Sequence, residues 1–292
     1  QNVSGKSPLA EAALAGKYDI AKMLLDKGAN PNISDTSGRT ILMDAVRGKN
    51  VNVIKLLLSY RANPQIQEIN GRNAYHEAAL SGDKQIISLI LNAGGNPLSR
   101  DKSGTTPFSL SLREGDEIMR AVLGNDTTIA DSDGNTPVHI IIKNKCPART
   151  LSMLISAGYP SDTRNSDGYT PLGIAIENNN KEYASILLAN GANPFTMIDK
   201  KGKNPASIAL EKNNESILGN IVKYAGKMSD IQGNTILHYA ARSSSADTVA
   251  KLISYGLDTN VKNISGETPY MTAIRWKRTE IAQLLKPSAE IK

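Results

Sequence analysis

A motif built on glycine recurs nine times along this 292-residue sequence, and its spacing limits what the chain can fold into. In each copy the second residue after the glycine is Ser, Thr or Asn, and Pro often follows. The intervals between successive glycines are 33, 33, 33, 30, 34, 34, 31 and 33 residues. A period of this length predicts an array of stacked repeats. The glycines are Gly5, Gly38, Gly71, Gly104, Gly134, Gly168, Gly202, Gly233 and Gly266.

Each copy of the motif predicts the same local structure, a turn followed by two helices. The glycine suits a turn that needs a positive φ, and the Ser, Thr or Asn suits a helix N-cap. Pro at the next position fits the first helical turn. The first helix is short and rich in small residues, as in 9–14, which lets a neighbouring helix approach closely. A second, amphipathic helix follows and ends at a glycine such as Gly28.

Two segments of the unit, Gly-x-Thr-Pro-Leu and Gly-Ala-Asn-Pro, resemble the ankyrin repeat, as does the Asp found three residues before several turn glycines. The resemblance covers essentially the whole chain. It implies an all-α repeat solenoid, in which ankyrin-type helix-loop-helix units stack, with projecting β-hairpin loops and a concave binding face. We therefore predict a single ankyrin-repeat domain over residues 1–292 with about nine repeats.

Two linkers depart from this pattern. The segments before Gly134 and Gly233 are short and lack the Gly-Ala-Asn-Pro element. We expect weaker stacking of the hairpins at these two junctions, because each repeat is stabilised by its neighbours alone.

Charge is unevenly distributed along the chain, which carries +6 overall. Residues 1–133 hold 15 basic and 15 acidic side chains, whereas residues 134–292 hold 19 and 13. A local basic excess favours a protein partner with an acidic surface. The excess is modest and aromatic residues make up 4% of the chain, which argues against nucleic acid as the partner. The sequence has no run of eighteen apolar residues, so we predict no membrane span.

The single cysteine, Cys146, excludes an intrachain disulfide and suits either redox compartment. We expect a monomer located in the cytoplasm. The alternative is an exported or periplasmic protein from which a signal segment has been removed.

Catalysis, cofactors and metal binding are not predicted for this chain. His76, His139 and His238 each lie five residues after their turn glycine. The ankyrin resemblance implies a structural His in this slot, with a ring that ties the turn to the helix. Helices spaced by about 10 Å cannot bring three such rings to one metal ion. We interpret Cys146 as a partly buried small residue and the repeated turn carboxylates as partners of local backbone.

Large side chains at positions that the repeat leaves free form the candidate partner-binding site. These positions are the hairpin tip and the exposed part of the first helix, and Tyr, Trp and Arg are enriched at binding hot spots. The candidates are Tyr169, Lys200, Lys201, Lys203, Tyr239, Arg242, Arg275 and Trp276. The alternative is solvated surface charge, with Trp276 covering the last apolar interface. In the first repeats Glu11, Asp44 and Glu77 occupy the position of Tyr239, which predicts an acidic end of the groove.

The predicted function is a protein–protein interaction scaffold or adaptor that binds its partner through the concave face and the hairpin tips. The alternative is a non-catalytic recognition module of a larger enzyme or effector whose catalytic part lies outside this chain.

Overall fold

The structure, a computed structural model, describes residues 2–3, 5–196 and 203–287. Helices follow one another in pairs along this part of the chain. The chain divides into two compact units, Gln1–Asp131 and Ser132–Lys292. The boundary between the units falls in the short linker before Gly134. Within the described ranges, eight helices belong to the first unit and ten to the second.

The helices of the first unit are α1 (Pro8–Leu14), α2 (Tyr18–Asp26), α3 (Ile41–Arg47), α4 (Val51–Ser59), α5 (Ala74–Ser81), α6 (Lys84–Asn92), α7 (Pro107–Ser111) and α8 (Asp116–Leu123). Those of the second unit are α9 (Pro137–Lys143), α10 (Ala148–Ser156), α11 (Pro171–Glu177), α12 (Lys181–Ala189), α13 (Pro205–Glu211), α14 (Glu215–Ala225), α15 (Ile236–Ser243), α16 (Ala246–Ser254), α17 (Pro269–Arg275) and α18 (Thr279–Leu285).

Helices stack by type within each unit. The odd-numbered first helices pack on the first helices of adjacent repeats, and the even-numbered second helices do the same. Small residues make the close approach of the first helices possible: Ala45, Ala79, Ala175 and Ala209 are fully buried. An all-α repeat stack, as the sequence predicts, is therefore the architecture of each unit.

The N-caps are confirmed in all nine repeats. Each first helix begins directly after the Ser, Thr or Asn of the motif, and Thr40, for example, accepts a hydrogen bond from the Met43 N–H at 3.3 Å. The caps are Ser7, Thr40, Asn73, Thr106, Thr136, Thr170, Asn204, Thr235 and Thr268. Eight of the nine turn glycines have φ between 72° and 89°, and the ninth, Gly202, lies outside the described residues.

Neighbouring turns are linked by single backbone hydrogen bonds. The Ile69 N–H donates to the Ser37 carbonyl at 3.0 Å, and the Ile264 N–H donates to the Gln232 carbonyl at 2.9 Å. Over the described ranges these loops contain no regular strand, only one antiparallel bridge between Ser34 and Thr40. The predicted β-hairpin loops are thus tight hairpin turns, too short for a ladder of paired residues.

The two short linkers differ in structure. Before Gly134, the Asp126 carboxylate accepts the Thr128 N–H at 2.9 Å. The Asn of the Ala-Asn-Pro element makes the same side-chain turn in regular linkers, as Asn30 does with the Asn32 N–H. Before Gly233, α14 runs for eleven residues and ends at Gly226, which keeps a helical φ of −61°. A Cβ added to Gly226 would lie 2.5 Å from the Val222 carbonyl oxygen, so this helix end requires glycine for space.

Candidate functional site

A groove of about 830 Å³ lies in the second unit. Its walls are the turns around Gly233 and Gly266 and the first helices α15 and α17 that follow these turns. Because the turns and the first helices recur at fixed positions, the fold presents the same slots in every repeat. What distinguishes this groove is the side chains that fill those slots.

Arg242 and Trp276 form an exposed part of the groove. The guanidinium carbon of Arg242 lies 4.4 Å from the centroid of the Trp276 ring, a cation–π arrangement. Arg242 is exposed and Trp276 keeps 48% of its surface accessible. Both residues end their helices, α15 and α17, so the pair joins two adjacent repeats.

Tyr239 forms the deeper wall of the groove. Its ring stacks on Phe195 with centroids 5.9 Å apart, and its hydroxyl donates to Asp230 at 2.8 Å. Burial, together with the hydrogen bond to Asp230, raises the pKa of Tyr239, so the phenol stays protonated and donates. Burial opposes ionisation of Asp230, but hydrogen bonds from Asn234 and the nearby backbone outweigh it and lower the pKa of Asp230. This part of the groove is fixed before any partner binds.

Three of the predicted residues are engaged within their own repeats by one recurring contact. This contact joins the residue directly after the turn glycine to the residue nine positions after that glycine. The pairs are Tyr169 Oη to Glu177 Oε1 at 3.1 Å, Lys203 Nζ to Glu211 Oε2 at 2.8 Å, and Arg275 Nη1 to Glu267 Oε1 at 3.1 Å. These contacts bridge a turn and the end of a first helix.

The structure therefore brings together half of the predicted site. Tyr239, Arg242, Arg275 and Trp276 line the groove. Tyr169 and Lys203 do not line it, although each occupies the predicted slot beside its turn glycine. Lys200 and Lys201 lie outside the described residues.

Among the lining residues that sequence reasoning did not name are three large side chains, Arg164, Phe195 and Ile231. Ile231 is 93% exposed and lies two residues before its turn glycine. That slot is polar in five repeats and apolar in four, so a comparison of the repeats does not single out Ile231. Phe195 follows the Asn-Pro element, and the rarity of Phe in this chain was the available signal.

The first unit differs from the predicted acidic groove end. Asp44 is buried and lies 3.3 Å from Lys6 Nζ, and Arg39 Nη1 lies 2.9 Å from Glu77 Oε1. Glu11 is exposed and accepts a hydrogen bond from the side chain of Asn2. The prediction of an acidic surface is wrong for Asp44 and Glu77, because basic residues of the adjacent turns neutralise them.

The three histidines hold structural positions. In each, Nδ1 faces the backbone N–H of the N-cap residue, at 3.2 Å for His76 and His139 and 3.1 Å for His238. Each Nε2 faces the carbonyl of the residue after the next turn glycine, at 3.2, 3.0 and 3.0 Å. For His139 and His238 this geometry requires a neutral ring that carries its proton on Nε2. Burial lowers the pKa of His76 and of His238, which favours the same neutral form.

The turn carboxylates serve local backbone, as predicted. Asp101 Oδ1 accepts the N–H groups of Ser103 and Thr105 at 2.9 and 2.8 Å, and Asp35 does the same in its own turn. Burial raises the pKa of the Cys146 thiol, which disfavours the nucleophilic thiolate. In the described ranges, no three His, Cys, Asp or Glu side chains are grouped so that they could hold a metal ion. No described helix is long and apolar enough to cross a membrane.

The fold and the groove define a class, the helix-pair repeat proteins that present turns and first helices as a recognition surface. The family model for ankyrin repeats, three copies per model, matches residues 1–68, 42–131, 110–198, 138–225 and 208–292. These matches together span the chain, which belongs to the ankyrin repeat family. Ankyrin repeats generally act as protein–protein interaction modules, and proteins built from them are typically non-catalytic scaffolds.

Proposed function

We propose that this chain is a non-catalytic scaffold or adaptor that binds a protein partner through the groove of its second unit. The observation that carries the proposal is the Arg242–Trp276 pair, since neither side chain is buried in the repeat stack. Arg and Trp are the residue types that most often dominate binding energy at interfaces. A partner that covers this pair would bury an indole ring and a guanidinium group together.

Trp276 provides the direct test of the groove. Its replacement by Ala should weaken partner binding by about 2 kcal/mol or more, mainly through faster dissociation. The partner is isolated by affinity capture from source lysate, and dissociation rates are then measured by surface plasmon resonance.

The matched control for Trp276→Ala is Tyr255→Ala. Tyr255 is an aromatic residue with 42% exposure at the end of α16, and it does not line the groove. Its replacement should leave binding unchanged. Normal binding by a folded Trp276→Ala protein would place the partner elsewhere on the chain.

The basic excess of the second half supports a partner with an acidic surface. Lys200→Glu with Lys201→Glu should then slow association and reduce its dependence on salt, with little change in dissociation. The double change Lys17→Glu and Lys27→Glu alters the charge equally at exposed positions of the first unit and serves as control. Equal slowing by both double variants would mean that net charge, and no particular surface, attracts the partner.

We also propose that the chain acts as a monomer and does not bind nucleic acid. Light scattering at increasing concentration measures the first property. A steep salt dependence of binding to a nucleic-acid probe would contradict the second.

A further inference from the structure

We propose that Arg242, stacked on Trp276, is the docking point for a carboxylate in an acidic segment of the partner protein. This inference rests on the proposed function, because it names the partner chemistry that the groove would recognise.

The first step compares equivalent slots in the five repeats of the second unit, namely the residue directly after the turn glycine and the residue nine positions after that glycine. The two residues pair in four repeats. Three of the pairs contain a carboxylate, Tyr169–Glu177, Lys203–Glu211 and Glu267–Arg275, and in the fourth Lys143 Nζ donates to Asn135 Oδ1 at 2.8 Å. The repeat that begins at Gly233 has Asn234 and Arg242 in these slots, with no carboxylate in either, and no hydrogen bond joins these two described residues.

Asn234 does not substitute for that carboxylate. Its Nδ2 donates to Asp230 Oδ2 at 3.0 Å, and its Oδ1 accepts from Asn263 Nδ2 at 2.8 Å. Throughout the described ranges, no carboxylate forms an ion pair with Arg242. Among the five repeats of the second unit, Arg242 is therefore the basic residue of this slot that lacks a partner in its own repeat.

The geometry suits a carboxylate ligand. The guanidinium carbon of Arg242 lies over the Trp276 ring, and no described residue accepts a hydrogen bond from the guanidinium, so its N–H groups can donate two parallel hydrogen bonds to a carboxylate. The groove also contains the carboxylates Asp230 and Glu267. These carboxylates repel a phosphate dianion more strongly than a carboxylate, and the arginines of the groove attract it more strongly, so phosphate recognition needs several unpaired arginines. Arg275 is already paired with Glu267, which favours Asp or Glu over a phosphorylated residue.

Exposed isoleucines at the rim of the groove place a second requirement on the partner segment, an aliphatic side chain. Ile231 is 93% exposed and lines the same groove as Arg242. Ile264 is 76% exposed and lies on the adjacent turn, which is joined to the first by the bond to the Gln232 carbonyl. An aliphatic residue near the acidic one in the partner would bury these two side chains.

The test is a selection of displayed random peptides on the full chain, followed by affinity measurements. Peptides are kept only if Trp276→Ala abolishes their binding. Trp276 is the single tryptophan, so its emission reports occupancy of this site directly. The kept peptides are then titrated against two variants, Arg242→Gln and Arg47→Gln. Both arginines lie nine residues after a turn glycine and are exposed, but Arg47 belongs to the first unit and does not line the groove.

The proposal predicts kept peptides with Asp or Glu beside an aliphatic residue. Arg242→Gln should raise their Kd about thirtyfold, whereas Arg47→Gln should change it by less than about twofold. Exchange of the peptide Asp or Glu for its amide should weaken binding to the original chain but not to the Arg242→Gln variant.

Three results would overturn the inference while the proposed function stands. They are kept peptides without an acidic residue, equal effects of the two arginine changes, and tighter binding of a phosphoserine peptide than of its Glu equivalent. If the selection yields no peptide that depends on Trp276, the proposed function fails at this groove and the inference fails with it.

Discussion

At the scale of single residues, the histidines show how one side chain joins two repeats. The His238 ring accepts the Thr235 N–H and donates to the Glu267 carbonyl, 29 positions along the chain. Both partners are backbone groups: the Thr235 N–H has no other hydrogen-bond partner among the described residues, whereas the Glu267 carbonyl also accepts the Asn263 N–H at 2.9 Å. This ring is therefore a cross-link between a helix start and the following turn, with no lone pair left for a metal.

Loss of this cross-link should be costly. We expect His238→Ala to lower the free energy of unfolding by about 2 kcal/mol, because it leaves the buried Thr235 N–H unpaired and removes one of the two hydrogen bonds that the Glu267 carbonyl accepts. Urea denaturation followed by circular dichroism measures the change. Arg242→Gln, an exposed change on the same helix, should stay within about 0.5 kcal/mol. Comparable losses for the two variants would contradict the structural role.

The lowered pKa values of His76 and His238 predict a pH dependence of stability. The unfolded chain takes up protons from about pH 6.5 downward, whereas the folded chain resists protonation of these rings. Stability should therefore decline as the pH falls below about 6.5, until the folded-state pKa is reached. Urea midpoints between pH 7 and 5 test this, with the double variant His76→Gln and His238→Gln as control. If the urea midpoint of the wild type depended on pH no more than that of the control, the histidines would not cause the pH dependence.

At the scale of the element, the hairpin turns combine a backbone requirement with a packing requirement. Gly71 has φ +84°, and an added Cβ would lie 2.8 Å from the Lys102 nitrogen. That nitrogen donates to the Asn70 carbonyl at 2.8 Å, so the two turns are held together at this point. Gly104 has nearly the same φ, +79°, but its added Cβ meets no described atom within 4 Å.

These two glycines provide a matched pair. Gly104→Ala should cost about 1 kcal/mol, the penalty for an L-residue in the left-handed region. Gly71→Ala should cost at least about 1 kcal/mol more, because the new methyl group must also displace the neighbouring backbone. Thermal and urea denaturation of the two variants measure the difference. Equal losses would show that the contact between turns adds nothing to stability.

At the scale of the whole molecule, the stability of a repeat array is the sum of terms for units and for the interfaces between neighbours. The unit boundary after Asp131 falls within one of the two irregular linkers. The other linker ends α14 at Gly226 without the left-handed glycine that closes α10, α12 and α16.

We predict that local opening concentrates at these two linkers, near 124–133 and 226–232. Their interfaces with neighbouring repeats should be weaker than those of the regular repeats, so the free energy of opening should be lower. Native-state hydrogen exchange measured by mass spectrometry reports this segment by segment. The regular linker at 60–70 serves as the internal reference. Protection at the two irregular linkers equal to that of the reference would contradict the prediction.

The sequence by itself determined the repeat number, the N-caps, the turn glycines and the structural role of the histidines. These features depend on backbone conformation within a few residues of each turn glycine. The same residue types recur at the same distances from each glycine, so the sequence alone reveals them. The tertiary structure decided which large polar side chains remain available. Arg242 and Arg275 occupy the same slot, and the sequence already shows that Arg275 has Glu267 as a partner in its repeat whereas Arg242 has Asn234. The contact of Arg242 with Trp276 was decided by the tertiary structure, because it joins two repeats and depends on how they pack side by side.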